Sequence, residues 1–177
     1  MAKMLKALHD LPSLTVALVE GGAFGGGAGL AATCDLAIAT ADAKFSFSEV
    51  RLGLIPATIS PYVIEAIGPR IARALFATGR VFDAAYAERI GLVTETVADV
   101  AALQAVAHRI ARDIMACAPG AVEASKRLVE DVAGREIDHN LMEMTAHRIA
   151  AARVGAEGQE GVRAFLERRK ADWSPFD

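Results

Sequence analysis

Three consecutive glycines, Gly25, Gly26 and Gly27, sit between an apolar β-branched run and a stretch of small helix formers, and they constrain the fold more than any other feature. Ahead of them, Leu14 to Glu20 reads as a buried strand that ends in a turn at Gly21 and Gly22. Behind them, Leu30, Ala31 and Ala32 favour helix, so the spacing predicts a tight loop opening onto a helix N-terminus with its amides pointing outward. Past Cys34, DLAIAT reads as a second buried strand. In DAKFSFSEV, Phe45 and Phe47 alternate at period two before a helical turn that Ser48 can cap, which leaves Glu49 beside the cap. Strand and helix alternate as they do in an α/β domain.

The later half changes character. Val63, Ile64, Ile67, Ile71 and Leu75 recur at helical spacing, and Gly68-Pro69 interrupts them, so two helices are expected. Asp83 is placed to cap AAYAERI, and Gly91 falls where a left-handed C-terminal residue is wanted. GLVTETV reads as a strand. Asp99 is a further cap candidate, and Leu103, Val106, Ile110 and Ile114 make one apolar stripe. Three more helical patterns follow, through Val129, from Leu141 to Ile149 and from Val162 to Leu166.

The 177 residues are 53% hydrophobic, enough for one domain with a core and too apolar for a disordered chain. Lys and Arg number 19 against 22 Asp and Glu, and no run of like charge appears, which argues against nucleic acid or anionic lipid as partner. Apolar stretches break well before the roughly 20 residues of a bilayer span. The opening MAKMLKALHD is charged and amphipathic, unlike a secretion signal. Cys34 and Cys117 lack paired spacing, and both are expected as buried small hydrophobes in a reducing, cytoplasmic protein.

Glycine-rich strand-to-helix turns serve phosphates, dinucleotides and oxyanions alike through exposed backbone amides. A phosphate loop needs Lys-Ser or Lys-Thr after its last glycine, and Leu30-Ala31 stands there instead. A dinucleotide fingerprint can be laid on Gly27, Gly29 and Ala32, but its first glycine comes several residues late. Close packing of helix on sheet is the plain alternative, above all for Gly29. The third reading is an oxyanion hole, in which a glycine amide faces a thioester oxygen as it gains charge. That chemistry needs an acid or base. Glu49 lies between the Phe45/Phe47 alternation and the apolar run from Leu52 to Pro56, or else is a solvated first-turn glutamate favoured by the helix dipole.

His139, Glu143 and His147 share one helix face, a spacing that can bind metal, although no further ligand motif accompanies them. A solvated or interface face is the plainer account, and no metal is expected. Asp35 and Asp42 flank the second strand as turn and capping residues.

AFGGGAGLAATCDLAIATADAKFSFSEVRLGLIPA resembles the core of the crotonase, or enoyl-CoA hydratase/isomerase, superfamily. TGRVFDAAYAERIGLVTETV and EGVRAFLERRKADW resemble later parts of the same family, so the likeness covers nearly the whole chain. Members carry a further N-terminal portion of about a third of their length before the strand at Thr15. The resemblance implies an α/β, ClpP/crotonase-like spiral of ββα units with a C-terminal helical tail for trimer or hexamer formation. On this chain that is a partial spiral core over 1–110 and a helical region over 111–177, in one structural unit.

By similarity Gly26 supplies one oxyanion amide, with Gly25 beside it, and Glu49 is the catalytic carboxylate. The second amide belongs to an Ala/Ser-Gly-x-Asp type segment in the further portion. Typical hydratases have another glutamate where this sequence has Gly29. Ala57 stands where the family is usually glycine-rich, and its amide is a candidate water donor. Phe165 and Arg168 match positions that reach the CoA adenine and phosphates of a neighbouring subunit; their plain roles are packing in the helix stripe and solvation. SEVRLGLIPATISPYV resembles a methylglutaconyl-CoA hydratase-like subgroup. The expected activity is hydration of an α,β-unsaturated acyl-CoA, with CoA as part of the substrate and no separate cofactor. The alternatives are a one-glutamate double-bond isomerase and a non-catalytic, oligomerising fragment.

Overall fold

Strand β1 (Val16–Val19) stops short of Gly21, whose φ of 70° turns the chain at once into a second strand, β2 (Gly22–Phe24). These three residues, expected as turn and loop, carry no alternating pattern; they form a strand because β4 (Lys44–Ser46) pairs with them in parallel, Ala23 opposite Phe45. In the computed structural model, which describes residues 1–174, α1 (Ala2–His9) precedes both strands and buries only Leu5. After β2 comes α2 (Gly26–Thr33), then β3 (Leu36–Thr40), parallel to β1 with Val16 opposite Leu36.

The chain thus runs the same circuit twice: a strand in one sheet, a strand in a second sheet, then a helix. The second pass is β3, β4 and, after a 3-10 turn at Glu49–Leu52, α3 (Ser60–Thr78). This is the expected ββα spiral. Gly68 has non-helical angles (φ 75°, ψ 158°), so α3 is two helical segments, as Gly68-Pro69 predicts. β5 (Phe82–Asp83) lies antiparallel to β4, and β6 (Glu95–Val97) lies parallel to β3. The sheet orders are β1-β3-β6 and β2-β4-β5. Both strands of the first circuit are edges, and Leu18 and Phe24 on them are 40% and 50% exposed.

Phe45 and Phe47 are fully buried, as their period requires, and Phe82 stacks on Phe45 at 5.9 Å while Phe76 meets Phe47 edge-on at 5.3 Å. Burial of one such ring stabilises by about 1.5–3 kcal/mol, with about 0.5–1.5 kcal/mol more for a well-placed aromatic pair. This cluster fixes β4 and the turn that carries Glu49. The Asp83 carboxylate accepts from Tyr86 N at 2.8 Å and starts α4 (Ala84–Arg89), with Gly91 at φ 85° beyond its end. The Asp99 carboxylate accepts from Ala102 N at 2.8 Å at the start of α5 (Val100–Met115). Asp35 is a turn residue: its carboxylate accepts from Thr15 N and Oγ1 at 2.7 and 2.8 Å, tying the start of β1 to the start of β3. Ser48 departs from expectation, since its side chain makes no capping bond; its carbonyl accepts from Arg51 N instead. Cys117 is exposed and Cys34 half-buried, so neither is the buried hydrophobe expected.

Compact units are Met1–Arg109 and Ile110–Asp177. The second holds the end of α5 with α6 (Pro119–Val132), α7 (His139–Val154) and α8 (Ala156–Glu167). Glu157 accepts from Gly120 N and Ala121 N at 2.9 Å each and caps α6 from α8. Trp173 Nε1 donates to Ala116 O at 3.2 Å. No helix among the described residues is long and apolar enough to cross a membrane.

Candidate active site

The turn before α2 is built around Gly25, which has φ 50° and ψ −117°, angles that a residue with a Cβ rarely adopts. Its own amide donates to Ser46 O at 2.8 Å, stitching the turn to β4. Gly25 therefore shapes the site but has no free amide to offer. The intrahelical ladder of α2 begins at Gly29 N, which donates to Gly25 O at 3.0 Å. Gly26 N–H thus lies ahead of the ladder. No side chain caps α2, and among the described residues this amide has no acceptor. It is an uncommitted donor at the positive end of a helix.

Glu49 comes to the same place from β4. Its Oε1 lies 3.4 Å from where a Cβ on Gly25 would be, and Ser48 Oγ lies 4.0 Å from that point. Its Oε2 is buried with no hydrogen-bond partner. A buried carboxylate oxygen left without a partner is costly, by about 1–3 kcal/mol, and is uncommon outside functional sites. A solvated first-turn glutamate would leave both oxygens in water, so that plain account fails for Oε2. Two groups 23 residues apart in sequence, a free helix-terminal amide and an unsatisfied carboxylate, are thereby brought into one site.

Gly29 is explained by packing. A Cβ there would lie 2.1 Å from Ile59 Cγ2 and 2.6 Å from Ile59 Cβ, and Ile59 is 1% exposed at the start of α3. The position that holds a second glutamate in typical hydratases is filled from across the interface by an isoleucine. Only its neighbour reveals this, because nothing in the sequence pairs residue 29 with residue 59. A dinucleotide reading of Gly27 and Gly29 loses its footing for the same reason.

Ala57 N donates to Ile55 O at 2.8 Å, so the amide expected as a water donor is committed within its own loop in this conformation. The structure adds Met1 and Thr58, absent from the sequence reasoning. The Met1 methyl sits 2.8 Å from where a Cβ on Gly26 would be, and Thr58 Oγ1 reaches Met1 Sδ at 3.5 Å. Phe165 and Arg168 belong to the helical unit. Phe165 is 81% exposed, so it does not pack in a helix stripe, and Arg168 takes left-handed angles (φ 54°) at the end of α8. His139 Nε2 lies 3.2 Å from Glu143 Oε1 on an exposed helix face, and no group of three or more His, Cys, Asp or Glu suited to a metal converges among the described residues.

The family model for enoyl-CoA hydratase/isomerase matches residues 1–175. The crotonyl-CoA hydratase of Syntrophomonas wolfei is 34% identical over 97% of this chain and 65% of its own length. Among solved structures, a Legionella pneumophila protein provisionally described as an enoyl-CoA hydratase/isomerase (crotonase) is 48% identical, with a TM-score of 0.93 over 97% of this chain and 66% of its own. An enoyl-CoA hydratase from Shewanella pealeana is 40% identical with a TM-score of 0.92, over 97% and 64%. The chain therefore spans just under two thirds of the length of each of these relatives. The spiral fold, the family-model match over residues 1–175 and these likenesses establish that the chain belongs to the enoyl-CoA hydratase/isomerase family of the crotonase superfamily.

Proposed function

We propose that the site acts on an acyl-CoA thioester, with Gly26 N–H holding the carbonyl oxygen as it becomes an enolate oxygen and Glu49 moving the proton. The observation that carries this is the buried, unpartnered Oε2 of Glu49 beside the N-terminus of α2. The reaction is hydration of an α,β-unsaturated acyl-CoA: Glu49 takes a proton from water as the oxygen attacks the β-carbon, then returns it to the α-carbon as the enolate collapses. The single carboxylate performs both transfers. CoA enters as part of the substrate, and no separate cofactor takes part.

No Ala/Ser-Gly-x-Asp segment occurs in the 177 residues, so by similarity only one of the two oxyanion donors is present. Loss of one such donor costs about 2.7–4 kcal/mol in the transition state, and slow turnover by this chain is the expected result. Crotonyl-CoA hydration, followed by loss of the conjugated-thioester absorbance, should be detectable for the wild type and reduced at least a hundredfold in Glu49→Gln. Undiminished hydration by the variant would remove Glu49 from the mechanism.

Ile59 over Gly29 favours a second reading. With no second carboxylate to share the water, one base can carry a proton from one carbon to another of a non-conjugated enoyl-CoA. Supplying a 3-enoyl-CoA separates the two, since an isomerase produces the conjugated thioester without adding water. For the helical unit, exposed Ile149, Phe165 and Leu166 support assembly into a trimer or hexamer, in which Phe165 and Arg168 serve a neighbour's CoA. Sedimentation tests that assembly.

A further inference from the structure

The loop from Leu52 to Ile59 joins the two sides of the candidate site. At its start Leu54 N donates to Glu49 O at 3.1 Å, and at its end Ile59 packs over Gly29, one helical turn along α2 from Gly26. Thr58 carries the one polar side chain in this run, LGLIPATI. Its hydroxyl holds no part of the core: Thr58 is exposed, no side chain caps α3, and among the described residues its hydrogen-bond contact is Met1 Sδ, at 3.5 Å. The adjacent polar groups are committed, Ala57 N to Ile55 O at 2.8 Å and the Ser60 hydroxyl to Ala57 O at 2.9 Å.

The same thioether reaches α2. Met1 Sδ and Cε lie 3.6 and 2.8 Å from where a Cβ on Gly26 would be, so a single side chain separates the Thr58 hydroxyl from Gly26. Thioether sulfur is a weak acceptor, and the unbranched Met1 side chain, 65% exposed, swings aside at small cost. A small polar molecule in its place gains a full hydrogen bond to Thr58 while standing between Gly26 and the loop that leaves Glu49.

We propose that Thr58 Oγ1 positions the water that attacks the enoyl thioester, in a site where Ile59 over Gly29 leaves no room for a second carboxylate. The inference rests on the hydration reading above. The water donates one hydrogen to Glu49 and the other to Thr58 Oγ1, which leaves a lone pair for the β-carbon. Only the first proton is transferred. The second O–H bond persists in the product hydroxyl, so Thr58 orients the water and takes no proton.

Two reactions of the same protein separate a water-positioning role from a structural one. Hydration of crotonyl-CoA needs the water, whereas exchange of the α-hydrogens of butanoyl-CoA in heavy water needs only the enolate and its base. Thr58→Val keeps the shape and removes the hydroxyl. It should lower kcat for hydration by about tenfold with KM unchanged and leave the exchange rate at the wild-type value. Thr58→Ser, which restores the hydroxyl, should recover most of the hydration rate. Hydration undiminished in Thr58→Val, or a change confined to KM, overturns the inference and leaves the acyl-CoA reading standing. So does a parallel fall of hydration and exchange, which would mark Thr58 as a residue that shapes the site. A wild type that exchanges α-hydrogens but adds no water also overturns it, since no attacking water is then held. If the wild type neither exchanges nor hydrates, the acyl-CoA reading itself falls, and the role of Thr58 with it.

Discussion

Gly29→Ala should destabilise this protein, although glycine to alanine inside a helix ordinarily stabilises by about 1 kcal/mol. The new Cβ would stand 2.1 Å from Ile59 Cγ2 and 2.6 Å from Ile59 Cβ, where real contacts essentially never fall below 3.0 Å. Ile59 is 1% exposed and starts α3, so it yields only if α2 and α3 separate. Overpacking of this kind costs about 1–3 kcal/mol. Ile59→Ala alone leaves a cavity and costs about 2–5 kcal/mol. In the double variant the closest clash is gone and the remaining Cβ contact can relax into the vacated space. The two changes should therefore couple by about 1–3 kcal/mol, with Gly29→Ala less costly in the Ile59→Ala background than in the wild type. Urea unfolding of the four proteins, followed by circular dichroism, measures the cycle. Additivity within about 0.5 kcal/mol would show that Ile59 does not occupy the space above residue 29, and the explanation for the missing second carboxylate would fail with it.

Gly25→Ala, at φ 50° and ψ −117°, should cost about 1–3 kcal/mol in the same unfolding assay; a neutral result would show that the turn before α2 is not strained. Asp35→Ala strips the acceptor from Thr15 N and Oγ1 at a residue 8% exposed, and a stability loss of about 1–3 kcal/mol is expected by thermal melting. The Arg169 guanidinium, hydrogen-bonded to Glu160, holds that carboxyl down from 4.5 to about 2, so its contribution is present above the ordinary carboxylate range and lost as pH falls toward 2. A carbon-13 titration should place Glu160 near 2 in the wild type and return it toward 4.5 in Arg169→Gln.

Local chemistry made much of the fold legible. Asp83, Asp99, Gly68-Pro69 and the Phe45/Phe47 alternation each fix an element through neighbours a few residues away, and each stands where its pattern places it. β2 was hidden because Gly22–Phe24 becomes a strand only through β4, about twenty residues on. At the site, a glycine triplet and a following glutamate mark the two participants, while their juxtaposition depends on β2 pairing with β4. Ile59 over Gly29, Met1 against Gly26 and the commitment of Ala57 N to Ile55 O are contacts of shape and geometry, and no spacing in the sequence announces them.

Whether Gly26 and Glu49 form one proton-transfer site is tested most directly by deuterium exchange at the α-carbon of a saturated acyl-CoA in heavy water. This step needs a stabilised enolate and a base but neither hydration nor isomerisation. The wild type should exchange the α-hydrogens, as followed by proton NMR, and Glu49→Gln should slow that exchange by about a hundredfold or more. Exchange at equal rates in the two proteins, or none in the wild type, would contradict the assignment.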